Sequence, residues 1–315
     1  MATDTRTSIS SSYILSLNGK EAGALKSVVG GGATADVVSL RTGSTTFARK
    51  NISGVKYDPV ELQAGLSLSQ EFYDWIAAMW AGKDKHTNGA LIEMDARSRP
   101  VQEQQFFNAL IMETTIPALD AAASKEAGYL GIKFQPEYTR NAKSTGESMG
   151  RPNAEKKKTF LLSNFRLELS GLNCSGIRKI DSFTVRQELH SVEVGNGRDH
   201  QVEPGNIEFP NLKISLAENT AQTWLDWHED FVIKGKCDDA HEKSGALIFL
   251  APNMSELFRI NLKQVGIFRL MRDKYEASIE KIRPFTAELY CEQMELVFSA
   301  TKETPKTPIQ QPMPA

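Results

Sequence analysis

The chain has 315 residues, of which 40% are hydrophobic and 24% charged, with 22 glycines, 13 prolines and 3 cysteines. These proportions belong to a soluble globular protein and exclude a fibrous, collagen-like or wholly disordered chain. With 37 basic against 39 acidic residues the formal net charge is -2, so the global electrostatic footprint of a dedicated nucleic-acid binder is missing.

Met1 to Ser12 is polar and rich in Ser and Thr, without the apolar core of a secretory signal, and synthesis and assembly in a cytoplasm is the expectation. The longest apolar runs, Trp75–Trp80 and Ala246–Ala251, fall far short of the ~18–20 residues that span a bilayer, so no membrane span is predicted. Tyr13, Leu15 and Leu17 alternate into Gly19, a strand entering a glycine turn. Gly30-Gly31-Gly32 lacks both the Lys-Ser/Thr of a phosphate loop and the spacing of a dinucleotide site, so a flexible hairpin or bulge is expected there. Ser67 and Gln70 then read as a helix start, and Phe72, Trp75, Met79 and Trp80 as one apolar helix face. Tyr138 to Lys158 holds Asn141, Ser144, Gly146, Gly150, Pro152 and Lys156-Lys157-Lys158, a composition that reads as an exposed basic linker.

The chain after the linker repeats the chain before it. Asp74-Trp75 recurs as Asp226-Trp227, an offset of 152. At that offset Tyr13, Leu15, Leu17 and Gly19 fall on Phe165, Leu167, Leu169 and Gly171, Leu25 and Val28 on Ile177 and Ile180, and Val60 and Leu62 on Leu212 and Ile214. The helix face returns as Trp224, Trp227, Phe231 and Val232, and its start signal as Asn219 with Gln222. Gly89-Ala90-Leu91-Ile92 recurs as Gly245-Ala246-Leu247-Ile248 at offset 156, which places a small insertion in the loop with Cys237 and His241. One unit is therefore written twice. The division is a domain over 1–140, a linker over 141–158, a second domain over 159–300 and a proline-rich tail over 301–315. In the second half the clearest strands are Phe160–Leu169, Ile207–Leu216, Gly245–Leu250 and Phe285–Leu296, and each half is expected to place a helix after its third or fourth strand. The fold class is α+β and mainly β: two tandem antiparallel barrels or sandwiches, each with one packed helix.

Chemistry-bearing patterns are sparse. Cys174, Cys237 and Cys291 form no Cys-x-x-Cys pair and read as reduced thiols. His86, His190, His200, His228 and His241 are scattered, and only His241 with Cys237 has ligand-like spacing. No G-x-S-x-G occurs, and Asp74 and Asp226 read as solvated carboxylates beside core tryptophans rather than a duplicated acid–base pair. No catalytic, cofactor-binding or metal-binding residue is assigned, and the chain is not expected to be an enzyme.

Within Ala48–Leu62, Arg49-Lys50, Ser53-Gly54 and Lys56-Tyr57, followed by Asp74-Trp75, resemble the order of motifs in the tail tube protein family of contractile phage tails and related injection systems. Ser53 stands where the family has proline; in the second half Pro204-Gly205 and Asp226-Trp227 match without a preceding Arg-Lys. The resemblance implies a barrel-and-helix protomer similar to the Hcp tube of type VI secretion, assembled as stacked rings and without cofactors. It further implies self-assembly beside neighbouring tube, baseplate or cap proteins, inside a sheath, with DNA or protein passing through the lumen. Two such domains per chain imply a ring of three chains with pseudo-sixfold symmetry, suited to an initiating, terminating or adaptor ring. The segments Leu40–Lys50 and Val192–Val202 would by analogy engage the next ring. The alternative is a duplicated β-barrel module that binds a ligand in each half.

Overall fold

In a computed structural model of the chain the described residues are 10–41, 43, 46–65, 68–143, 160–192, 200–272 and 284–298. The first half opens with β1 (Ser10–Leu17) and β2 (Lys20–Gly30), joined by Asn18-Gly19, both at positive φ as a two-residue hairpin turn requires. A second hairpin follows, β3 (Ala33–Leu40) and β4 (Arg49–Tyr57), then β5 (Val60–Ala64) and helix α1 (Gln70–Trp80). Strands β6 (Thr87–Asp95), β7 (Pro100–Ile116), β8 (Leu119–Asp120), β9 (Leu130–Gln135) and β10 (Tyr138–Lys143) complete it. Six strands run in the order β7-β6-β1-β2-β5-β9, and β9 pairs back onto β7 to close a barrel. The helix lays its apolar face on this barrel, with the Trp75 ring 5.4 Å from Phe134 and 6.5 Å from Phe106 between centroids.

The second half repeats the plan with β11 (Phe165–Leu169), β12 (Ile177–Ile180), β13 (Phe183–Val192), β14 (Gln201–Glu208), β15 (Leu212–Ala217), helix α2 (Gln222–His228), β16 (Lys243–Leu250), β17 (Glu256–Arg272) and β18 (Pro284–Phe298). Its seven-stranded sheet, β11-β16-β17-β18-β15-β12-β8, curls without closing. The break lies between β11 and β12, where seven residues, Ser170–Gly176, replace the Asn18-Gly19 turn. Asn173 holds this wider loop in place: its N–H donates to Thr223 Oγ1 at 2.9 Å and its carbonyl accepts from Trp224 Nε1 at 3.0 Å. The first half supplies β8 to pair with β12, and buried Phe160 packs on Phe249, 5.4 Å between centroids.

Two further crossings tie the halves. Phe183–Arg186 of β13 pairs with Glu113–Ile116 of β7, so the β13–β14 hairpin extends the first sheet. Tyr73 of α1 stacks on Phe298 of β18 with centroids 3.7 Å apart. One contiguous apolar core accordingly draws on both halves.

Several local expectations are corrected. The helix follows five strands in each half, not three or four. Ile207 lies near the end of β14, and Phe209-Pro210-Asn211 separates that strand from β15 because Pro210 has no N–H for the ladder. Strand β11 begins only at Phe165, the preceding residues being a turn that seats Phe160 in the gap. Tyr138–Lys143 is β10 rather than the start of a linker, held on β7 by backbone pairing and by Tyr138 stacked on Phe107. The rest of that linker and the proline-rich tail lie outside the described residues. Ser67 also lies outside them; the α1 cap is Ser69, whose Oγ accepts from the Phe72 N–H at 3.3 Å. In the second half buried Ala221 occupies the cap position and Asn219 sits exposed in a 3-10 turn, Glu218–Thr220. Helix α2 runs into a π turn, Glu229–Ile233, whose wider winding rotates Val232 off the buried face to 41% exposure.

Candidate assembly surfaces

The glycine cluster is the corner at which the chain leaves the first barrel. Gly30 and Gly31 adopt φ of 102° and 72°, and a Cβ on Gly30 would lie 2.0 Å from the Pro59 carbonyl oxygen. The Gly31 carbonyl accepts from Gln104 Nε2 and Thr139 Oγ1, each at 2.9 Å, and the Gly32 carbonyl from the Asp58 N–H at 2.8 Å. The corner is thus pinned to the barrel by polar contacts, as a bulge and not a phosphate cradle.

Beyond it β3 and β4 pair only with each other, as a separate two-stranded sheet. Their exposed apolar side chains include Val37, at 62%, and Ile52, at 65%, with Val38 and Leu40 beside them. An isolated two-stranded hairpin is marginal in water, so this arm gains from any surface that covers it.

The β13–β14 hairpin shows the same element covered. Its register equals that of β3–β4 displaced by 152 residues: Thr34 opposite Lys56 becomes Arg186 opposite Glu208, and Leu40 opposite Arg49 becomes Val192 opposite Gln201. The bulge between Ala35 and Val37 recurs between Gln187 and Leu189. Docked on β7, Phe183 and Val185 are buried, Thr115 and Thr184 hydroxyls meet at 2.9 Å, and Arg186 reaches Glu113 at 3.6 Å.

The receiving strand is repeated as well. β17 follows β7 at offset 156, including a bulge at Ile267/Arg269 for Ile111/Glu113 and positive φ at Gln264 for Asn108. β6 stops pairing with β7 at Ala109, and β13 takes the vacated edge at Glu113–Ile116. β16 likewise stops at Val265, but among the described strands none follows it, and Gly266–Arg272 has an open edge. Burial records the difference at equivalent positions: Ile116 is buried and Arg272 exposed, and half-buried Met112 and Thr115 correspond to exposed Phe268 and Met271.

The residues weighed for chemistry are not brought together. Asp74 and Asp226 each accept a hydrogen bond at 2.8 Å from the glutamine one turn earlier, Gln70 and Gln222, as helix-surface carboxylates. His241 pairs with Asp238 and Cys237 is exposed. Among the described residues no group of three His, Cys, Asp or Glu is placed to hold a metal, and no helix is long and apolar enough to cross a membrane. Sequence reasoning missed the open β17 edge, although the offset of 156, extended from Gly245 to Arg272, aligns it with β7. Of the two segments expected to meet a next ring, residues 42, 44 and 45 and residues 193–199 lie outside the described residues, and the stem of the second hairpin pairs with β7 of the same chain.

Comparison with known proteins agrees with the resemblance over the first half. Residues 10–139 match the family model for T4-like virus tail tube protein gp19. No curated protein matches the chain. Among solved structures, a chain of the PVC extracellular contractile injection system, sheath-tube complex in the extended state, is 17% identical; the match covers 42% of this chain and 88% of that one, with a TM-score of 0.37. A chain from the anti-feeding prophage cap is 16% identical, over 46% of this chain and 96% of that one, with a TM-score of 0.40. A chain from the PVC sheath/tube terminator in the extended state is 17% identical, over 44% and 99%, with a TM-score of 0.39.

Proposed function

We propose, from the match of residues 10–139 to the T4-like tail tube protein gp19 family model, that the whole chain forms a ring of the inner tube of a contractile tail or injection system. Tail tube proteins are structural and do no chemistry, so the function is a geometry: a rigid conduit. The observation that carries the reading to the whole chain is the repeat itself, which preserves strand register, bulges and positive-φ positions at fixed offsets between the family-matched half and the other. We read 1–140 and 159–300 as two tube domains joined by 141–158, and a ring as three chains presenting six pseudo-equivalent halves. The divergence of the halves suits a specialised ring that initiates or terminates the tube or adapts its symmetry. Neighbouring tube, baseplate or cap proteins and the sheath are its partners on this reading, with DNA or protein as cargo.

Light scattering behind size exclusion, with negative-stain microscopy, tests it. The expected particle has three times the 34.9 kDa mass of the chain and a central hole. A compact monomer at high concentration overturns the reading.

A further inference from the structure

We propose that the β3–β4 arm of one copy adds as strands to the open β17 edge of a second copy, with Thr34 opposite Arg269, Ala33 opposite Leu270 and Gly32 opposite Met271. The inference rests on the ring reading and names its closing contact. Within one chain the second half gives a hairpin and the first half receives it. Among the described residues that leaves the equivalent giver, β3–β4, and the equivalent receiver, the β17 edge, without a partner strand in the same molecule. The contact is heterologous, so satisfying the remaining pair requires another copy and propagates head to tail until it closes. The register comes from carrying Arg186 opposite Glu113 across the two offsets. Exposed apolar side chains lie on both partners, Val37 farther along the arm and Phe268 and Met271 on the edge, where Met271 comes opposite Gly32.

Charge selects the pairing. The β7 edge presents Glu113, which suits Arg186 of the β13–β14 hairpin. The β17 edge presents Arg269, paired with Glu288, and Arg272, beside Glu218, which would repel Arg186, whereas the β3–β4 arm puts uncharged Thr34 at the paired position, its Asp36 being held by Lys56 of β4. The reversal holds deeper in the sheets: Lys133 between Glu61 and Glu113 corresponds to Glu288 between Lys213 and Arg269. Arg186 therefore matches the β7 edge and opposes the β17 edge, which leaves the β17 edge to the arm that carries Thr34 in its place. At the triglycine corner, where the second half has Ser182-Phe183-Thr184, Gly30 and Gly31 at positive φ turn β3 out of its own sheet.

The test is directed cross-linking in the full chain, carrying Cys237→Ser to remove the exposed native thiol. Thr34→Cys with Arg269→Cys should give disulfide-linked dimers and trimers on oxidation, because directly opposed residues on antiparallel strands lie within disulfide reach. Yield should exceed by roughly tenfold that of Thr34→Cys with Leu270→Cys, whose side chains leave opposite faces. Glu113→Cys with Arg186→Cys is the internal reference and should close within one chain. Rings that form normally without the Thr34–Arg269 cross-link overturn this contact and leave the ring reading standing. A wild-type chain that never assembles overturns both.

Discussion

A methyl group added at Gly245 would lie 1.9 Å from the Glu168 carbonyl oxygen, and one at Gly89 would lie 2.3 Å from that of Ser16. These contacts give a physical reason for the four-residue run common to both halves: its glycine lets β16 approach β11, and β6 approach β1, more closely than any Cβ permits. Gly245→Ala should destabilise the protein by about 1–3 kcal/mol through overpacking, measured as a lowered urea midpoint; an unchanged midpoint would mean the strands part without cost. Burial acts on titration at Cys291, whose thiol is pushed up to about 11, chiefly by desolvation. An unfolded thiol ionises near ~8.5, so above that pH the unfolded chain sheds a proton that the folded chain keeps, and stability falls as pH rises toward 11. This one group contributes a slope of at most about 1.4 kcal/mol per pH unit. Urea midpoints measured between pH 8 and pH 11 should decline, and less steeply in Cys291→Ser.

At the scale of elements, the repeat was readable because period and punctuation survive divergence. Alternation marked β1 and β11, the i, i+3, i+7 spacing marked the helices, and Gly19 and Gly171 marked the turns. Features that depend on contacts distant in sequence were not readable. Nothing local in Ser170–Gly176 says that a longer loop opens the barrel, or that Leu119-Asp120 will pair with β12 across the gap. The helix starts show how a sequence signal misleads: Asn219 has the right residue type, but the 3-10 turn places Ala221 at the cap. Ser69→Ala should therefore cost about 1 kcal/mol, since it removes the side-chain acceptor of the Phe72 N–H and leaves that group only the Ser69 carbonyl at 3.2 Å, while Asn219→Ala should be near neutral. Comparing the two denaturation midpoints checks the assignment, and equal losses would restore Asn219 as a cap.

At the scale of the molecule, the connections that cross between the halves include β13 on β7, β8 on β12, Tyr73 on Phe298, and Trp80 against Phe209 at 6.5 Å. A chain read as two linked domains would unfold in two steps if the halves were merely tethered. Here, opening the second half removes β13 and bares Thr114 and Ile116 on the first, and opening the first half takes β8 away from β12 and Tyr73 away from Phe298. Each half thus loses buried surface when the other melts, the condition for a single cooperative transition. The four tryptophans provide the measurement, because Trp75 and Trp80 lie in the first half and Trp224 and Trp227 in the second. With one pair replaced by phenylalanine and then the other, fluorescence reports each half separately. After each variant's own stability change is allowed for through a global circular dichroism signal, the local and global midpoints should coincide in urea. Separated midpoints would mean that the crossings are too weak to couple the halves. Val185→Asp, which puts a carboxylate on the buried face of β13 beside β7, is expected to produce that separation, because an unpaired buried charge costs several kcal/mol and the docked hairpin is the contact that must give way.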